Sequence, residues 1–280
     1  TLSSSSAASD VYKRQSPAQF LGPLAVALLL SVVIPIWSFY ILKKWMKFDA
    51  TNAAAVAAHY GSVSAVTFGE AIAFLDIQHV AHEPFLPALL AIMEVPAILI
   101  AIFLAGRTVL AANGSGGKIG SLVRELLAGK GTVLLVGGMA IGFLSGEKGY
   151  TQVAPLFDGS FRALLTLFLL EIGLQTGRRL SDIKTAGPAM VVFAIAMPFL
   201  HGLLGVGLGN WVGLGVGGAT VLGTLAASAS YIAAPAAVRV ALPAASPAIY
   251  LTSSLAVTFP FNVVFGIPIY YSFALFLASL

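Results

Sequence analysis

The chain has 280 residues, of which 58% are hydrophobic and 9% charged, with a mean hydropathy of +0.94 and a formal net charge of +4. A soluble core has no use for so much apolar sequence, so the composition places the chain in a bilayer. The few charges sit in loops and form no basic patch interleaved with aromatics, which argues against a nucleic-acid partner. The absence of cysteine excludes disulfides, thiolate nucleophiles and Cys-based metal sites.

Residues Thr1–Gln15 are rich in Ser and Ala and contain no apolar core of the kind a signal peptide requires. They read as a tail foreign to the rest of the chain. A membrane-spanning helix needs about 20 apolar residues. In chain order the sequence offers eight such segments: Phe20–Leu42, Ala53–Leu75, Pro84–Ala105, Gly131–Leu144, Phe157–Thr176, Pro188–Gly209, Leu214–Val240 and Pro247–Leu277. Between the third and fourth runs a connector carries the flexible stretch Asn113-Gly114-Ser115-Gly116-Gly117.

Two of these segments are interrupted by small polar residues, Gly61-Ser62-Val63-Ser64-Ala65-Val66-Thr67 and Ala227-Ser228-Ala229-Ser230-Tyr231-Ile232-Ala233. The Ser-x-Ser cores lie 166 residues apart (230 − 64). Flanking prolines repeat at nearly the same offset: Pro84 with Pro247 (163) and Pro96 with Pro260 (164). Gly22-Pro23 and Gly187-Pro188 repeat at 165. The expected organisation is therefore a duplication: residues 16–110 hold three helices of a first repeat, 111–130 form a cytoplasmic linker, and 131–280 hold a second repeat of five helices.

Because a five-helix unit crosses the membrane an odd number of times, its duplicate is inverted. The parent architecture is thus all-α and polytopic, with inverted five-helix repeats and broken helices. Eight of its ten helices are represented here, which leaves the Phe157–Thr176 side expected to expose apolar surface. Lys43, Lys44, Lys47, Arg107, Lys118, Arg124, Lys130, Arg178, Arg179, Lys184 and Arg239 follow the odd-numbered spans, whereas only Lys148 and Arg162 follow the even ones. The positive-inside rule makes the first side cytoplasmic and puts both chain ends outside.

Four ordered motifs carry a resemblance: His59-Tyr60-Gly61-Ser62-Val63-Ser64-Ala65-Val66-Thr67-Phe68, Met93-Glu94-Val95-Pro96-Ala97, Ala226-Ala227-Ser228-Ala229-Ser230-Tyr231-Ile232-Ala233-Ala234-Pro235, and Thr258-Phe259-Pro260-Phe261-Asn262. From Gln19 onward the chain resembles the sodium-dependent bicarbonate transporter family. The resemblance implies a ten-helix inverted-repeat protein of the bacterial inner membrane, split into gate and core domains and assembled as a homotrimer. It implies import of bicarbonate with sodium as coupling ion and, in cyanobacteria, control by a PII-like regulatory protein from the cytoplasm. The cyanobacterial importers carry an acidic residue where this chain has Tyr231, and serine and glycine where it has Ala233 and Ala234. The pattern is closer to the broader bacterial branch.

The two breaks suit a small anion, because the backbone N–H groups of a half-helix start supply positive dipoles without placing a full charge in lipid. Ser62, Ser64, Thr67, Ser228 and Ser230 add hydroxyls, Gly61 allows the break, and Tyr231 completes the substrate-binding set. Glu70, Glu94 and Glu171 lie within apolar spans, where a charge needs a partner. Glu94, beside Pro96, is the first candidate sodium ligand, and Asn262 and Thr258 around Pro260 are its counterparts in the second repeat. Pro96 also frees a carbonyl one turn earlier, near Ile92. His59 is expected to line the cytoplasmic mouth and His201 to serve helix packing. His79 and His82 belong to an outer loop and share no zinc-like spacing with carboxylates. With no phosphate loop, HExxH or nucleophile-elbow motif, the chain does not read as an enzyme. Beside sodium-coupled bicarbonate import, a proton- or sodium-coupled carrier of another small anion or carboxylate and a non-transporting receptor stay open.

Overall fold

A computed structural model describes residues 17–113, 124, 128 and 130–280. The tail Thr1–Gln15 and most of the linker at 111–130 lie outside the described residues. Among those described, the regular structure is helical throughout.

Helix α1 (Pro17–Tyr40) ends in a π-helical turn, Ile41–Trp45. Helix α2 (Ala50–Gly61) starts on Asp49, whose carboxylate accepts the N–H groups of Thr51 at 3.0 Å and Asn52 at 2.9 Å. Partial burial pushes this carboxyl up, but the bonds donated by Asn52 and Thr51 outweigh it and hold the group below its ordinary value. After a break at Ser62–Ser64 the chain continues as α3 (Ala65–Ile77) and then α4 (Leu86–Asn113). Helix α5 (Lys130–Arg179) is followed by the short α6 (Ile183–Ala186). Gly187, at φ 83° and ψ 159°, takes a conformation open to glycine almost alone, and Pro188 then opens α7 (Pro188–Trp211). Helices α8 (Val216–Ala227) and α9 (Ala233–Ala241) flank the second break. A last helical run, α10 (Pro247–Ala278), contains π-helical stretches at Thr252–Thr258 and Asn262–Gly266.

Both breaks fall where the Ser-x-Ser clusters predict them. The region between Gly131 and Thr176 differs from expectation. Two helices are present, as expected, but no loop separates them: within α5 a single non-helical residue, Gly146 (φ 58°, ψ −163°), divides the first from the second just after the predicted run Gly131–Leu144. One glycine absorbs the change of direction, so the second helix follows at once. Among the described residues, four segments are long and apolar enough to cross a membrane: Gln19–Trp45, Leu86–Gly106, Pro188–Trp211 and Pro247–Ala278. The broken pairs α2/α3 and α8/α9 consist of pieces individually too short to span, which is why eight hydrophobic runs do not become eight continuous helices.

Packing centres on the first members of the broken pairs. Helix α2 is buried on every side from Ala53 to Ala58, with Ile98 and Ala101 of α4 and Met190 and Phe193 of α7 in the same core. Helix α8 is likewise buried along its length, among Leu30 and Ile34 of α1, Leu89 and Met93 of α4, and Tyr270 of α10. A third, small cluster forms where α5 meets the breaks, from Ile172, Val66, Leu255 and Phe259. The opposite face of α5 exposes Leu164, Leu167, Leu170 and Leu174.

The close approach of α7 and α8 depends on missing side chains. A Cβ on Gly205 would lie 2.8 Å from Gly223 Cα, 2.9 Å from Ala226 Cβ and 3.0 Å from the Leu222 carbonyl oxygen. Two of those neighbours are backbone atoms, which cannot step aside as a flexible side chain does. Gly205→Ala is therefore expected to cost roughly 1–3 kcal/mol of overpacking. It should lower the melting temperature of the detergent-solubilised protein by several degrees, and an unchanged melting curve would show that the helices have room to part.

Candidate functional site

The two breaks touch each other. The Ser64 N–H donates to Ser228 Oγ at 3.1 Å, Ser64 Oγ donates to the Tyr231 hydroxyl at 2.9 Å, and the Ser230 N–H donates to the His59 carbonyl at 2.9 Å. All of these groups belong to chain that has left helical geometry or ends a helix, where backbone polar atoms have no intrahelical partner. Each break thereby meets part of the other's unsatisfied hydrogen-bonding capacity.

Two serines also start the second half-helices. Ser64 Oγ caps α3 by accepting the Thr67 N–H at 3.2 Å, and Ser230 Oγ accepts the Ala234 N–H of α9 at 3.2 Å. In the first turn of α3 this leaves the N–H groups of Ala65 and Val66 outside the cap; in that of α9 it leaves only the Ala233 N–H, because Pro235 has none. Ala65 and Ile232 are exposed there and Tyr231 is partly so, while Ser62, Ser64, Thr67, Ser228 and Ser230 are buried.

The hydroxyl hydrogens are largely committed. Ser62 Oγ donates to the Glu94 carbonyl at 2.9 Å, Ser228 Oγ to the Leu225 carbonyl at 2.8 Å, and Thr67 Oγ1 to Ser64 Oγ at 3.1 Å. Ser64 gives its hydrogen to Tyr231. Of the predicted substrate-binding hydroxyls, that of Ser230 holds a hydrogen with no acceptor shown among the described residues, whereas the Tyr231 hydroxyl has both the Ser64 and the Thr67 side chains as partners. Gly61 packs rather than binds: a Cβ there would lie 2.7 Å from Pro35 Cδ and 2.9 Å from Ala97 Cβ.

The candidate cation ligands are brought to the same region in different ways. Glu94 is joined to the first break through its carbonyl and Ser62. Asn262 is fully buried: its Nδ2 donates at 2.8 Å to the carbonyl of Ala227, the last residue of α8, and its Oδ1 shares the single hydrogen of the Tyr270 hydroxyl, at 3.1 Å, with the Pro198 carbonyl at 3.0 Å. Thr258 is also engaged. It donates to the Ala194 carbonyl at 2.6 Å, which Pro198 leaves without its helical partner, and it shares a 2.7 Å bond with the Tyr60 hydroxyl. Since Thr258 has one hydrogen, Tyr60 is the donor in that pair. The donors of Asn262 and Thr258 thus close a helix end and a proline gap.

His59 does not line a mouth; it is fully buried, with Nδ1 2.6 Å from the Ala55 carbonyl and its ring 4.7 Å from that of Tyr250. His201 accepts from Trp37 Nε1 at 2.8 Å and stacks on the indole at 5.1 Å. Sequence reasoning assigned His201 to packing and missed Trp37, although the pair's separation of 164 residues equals the proline offset and is shared by Ser64 and Ser228. Glu171 lies exposed on α5 beside Gln175. Glu70 is half-buried on α3, and Glu83 of the outer loop accepts the Gly215 N–H at the start of α8 at 2.8 Å.

Removing the Asn262 amide strands the Ala227 carbonyl in a water-poor core, a loss of about 1–3 kcal/mol. Asn262→Ala should accordingly lower the melting temperature to the same extent with and without sodium. A destabilisation seen only in sodium would restore Asn262 to the ion site.

No curated protein matches the chain. The family model of the Na+-dependent bicarbonate transporter superfamily matches residues 8–275, nearly the full chain, and so spans both breaks, α4 and α10. With its apolar spanning helices and two crossed half-helix breaks, the chain is a membrane protein that belongs to the Na+-dependent bicarbonate transporter superfamily.

Proposed function

We propose that the protein is a sodium-coupled secondary transporter that imports bicarbonate across a bacterial inner membrane by alternating access. The observation that carries this reading is the meeting of the two breaks, Ser64 N–H on Ser228 Oγ and Ser230 N–H on the His59 carbonyl. Crossed half-helices put N–H-rich helix starts and carbonyl-rich helix ends side by side, the arrangement that lets a fixed site hold an anion and a cation together. Inversion of the repeats is supported by the meeting of the two related breaks, Ser64 with Ser228 and Ser230 with the His59 carbonyl.

In this reading the N–H groups opening α3 and α9, with the hydroxyls of Ser230 and Tyr231, receive bicarbonate. Glu94 serves the sodium. Pairing opposite charges lets both enter a low-dielectric region as a nearly neutral unit, so each raises the other's affinity, and the coupling is reciprocal. The small apolar cluster between α5 and the breaks supplies a surface over which one part of the molecule can move relative to the other.

Reconstituted in liposomes, the protein should take up labelled bicarbonate only with a sodium gradient. Glu94→Gln should raise the sodium concentration for half-maximal uptake. Ser230→Ala should weaken anion binding even at saturating sodium, by roughly 1 kcal/mol or more. Sodium-independent uptake whose pH dependence disappears in Glu94→Gln would establish a proton-coupled carrier instead, and ligand binding without flux would establish a receptor.

A further inference from the structure

The turn that joins α1 to α2 faces two ways. Ile41, Leu42, Met46 and Phe48 fold inward against the core around α2, and the Met46 N–H closes the π-turn on the Ile41 carbonyl at 3.2 Å. Lys43, Lys44, Trp45 and Lys47 are left outside, all exposed, the Trp45 side chain by 79%. Three ammonium groups and an indole thus sit within residues 43–47, at the end of the spanning segment Gln19–Trp45 and on the face that the positive-inside rule makes cytoplasmic.

No carboxylate neutralises them. Among the described residues none of the three lysines forms an ion pair, and the next acid in the chain, Asp49, has its oxygens taken by the Thr51 and Asn52 N–H groups and by the Asn52 side chain at 2.6 Å. The lysines lean on aromatic faces instead. Lys43 Nζ lies 5.6 Å from the centroid of the Phe39 ring and Lys44 Nζ 5.5 Å from that of Tyr40, and the two ring centroids are 5.5 Å apart. Two ammonium groups are thereby held near each other at the helix end, their stems against apolar surface and their heads in water. Lys47 takes φ 58°, a conformation that glycine adopts freely and a side chain resists. A strained lysine beside two unpaired ones points to a use for the charge.

We infer that this turn is a binding site for the headgroup of an anionic phospholipid, with the lysines meeting its phosphate and Trp45 lying at the level of the glycerol and upper acyl chains. The indole favours a lipid over a free phosphate: a soluble anion leaves an exposed ring in water, whereas the membrane interface takes its apolar body and its N–H together. Trp211 supplies the contrast. It is equally exposed, at 79%, at the end of α7, but its nearest Lys and Arg in the sequence are Lys184 and Arg239, so it is an interfacial ring with no charge beside it to select a headgroup. A lipid held at the turn also fixes where α1 hands over to α2, the half-helix that ends at the first break.

The test uses the full chain in vesicles of phosphatidylcholine and phosphatidylglycerol, with brominated acyl chains on one lipid or the other, and reads the tryptophan quenching that disappears in Trp45→Phe. Each lysine near an anionic surface strengthens association roughly fivefold, so phosphatidylglycerol should be preferred at Trp45 by at least about fivefold. The quenching that disappears in Trp211→Phe should show no preference. The triple variant Lys43→Gln, Lys44→Gln, Lys47→Gln should abolish the preference at Trp45. Should that variant fail to fold, about 1 M salt should do the same to the wild-type protein, since the Debye length then falls to about 3 Å. Inorganic phosphate at matched ionic strength should leave the preference unchanged. Equal quenching of Trp45 by the two lipids overturns the inference, as does a preference that survives both the triple substitution and the salt. Competition by inorganic phosphate overturns it too, by making the ligand a soluble anion. None of these readouts involves transport, so their failure leaves the bicarbonate reading standing.

Discussion

The constraint on which this structure depends is that no backbone polar group at membrane depth can be left without a partner. Interrupting a helix inside the apolar region exposes carbonyls at one end and N–H groups at the other, and each costs free energy on the scale of several kcal/mol in hydrocarbon. Here two interruptions are brought together so that each relieves the other. Ser228 serves Ser64, the His59 carbonyl serves Ser230, and the interruptions close without recruiting a charged side chain. The second half of each pair is then capped from within by its own serine. Because the two breaks need each other, the site cannot be assembled from one half of the chain.

The same demand accounts for the donors of Thr258 and Asn262. Pro198 removes an N–H from α7 and leaves the Ala194 carbonyl bare; Thr258 reaches it, and Tyr60 in turn donates to Thr258. The end of α8 leaves the Ala227 carbonyl bare, and Asn262 reaches that. Both donors come from α10, beside or within its π-helical stretches, where the altered helical phase turns successive residues toward different neighbours. Helix α10 is thus the element that repairs the backbone defects of α7 and α8. A polar residue in a membrane helix can be repairing a defect or binding a ligand, and its hydrogen-bond partner decides which.

Small residues make these meetings possible. A break can be crossed only if the helices carrying it approach closely, and the buried alanine run of α2, Gly61 against Pro35 and Ala97, and Gly205 against α8 remove the side chains that would hold them apart. In lipid, where burial of apolar surface does not drive helix association, such contact supplies the attraction through van der Waals packing. The one long helix outside this arrangement, α5, touches the breaks only through the small cluster around Ile172 and Phe259.

Much of this was legible in the amino-acid order. Hydropathy alone places the chain in a membrane; the Ser-x-Ser clusters mark both breaks, since a run of small polar residues with glycine nearby disfavours a continuous helix and supplies the caps for the next one. The recurring offset near 164 announces that the two breaks are related. These are local properties, set by residues within a few positions of one another, and the pattern of one stretch is enough to express them. What the tertiary structure decided is where each hydrogen goes. Ser64 and Ser230 look equivalent as hydroxyl donors in the sequence, and nothing in the order of residues says that Asn262 reaches the end of α8 or Thr258 the proline gap of α7. Only contacts across 35 to 198 residues of chain separate a saturated hydroxyl from one with a proton to give, or a ligand from a helix cap. The abrupt junction at Gly146 belongs with these: a glycine beside charged residues reads as a loop, and a single positive-φ residue suffices to join two helices without one. Hydrogen-bond assignment is a property of the assembled breaks, so it becomes readable only once they have met.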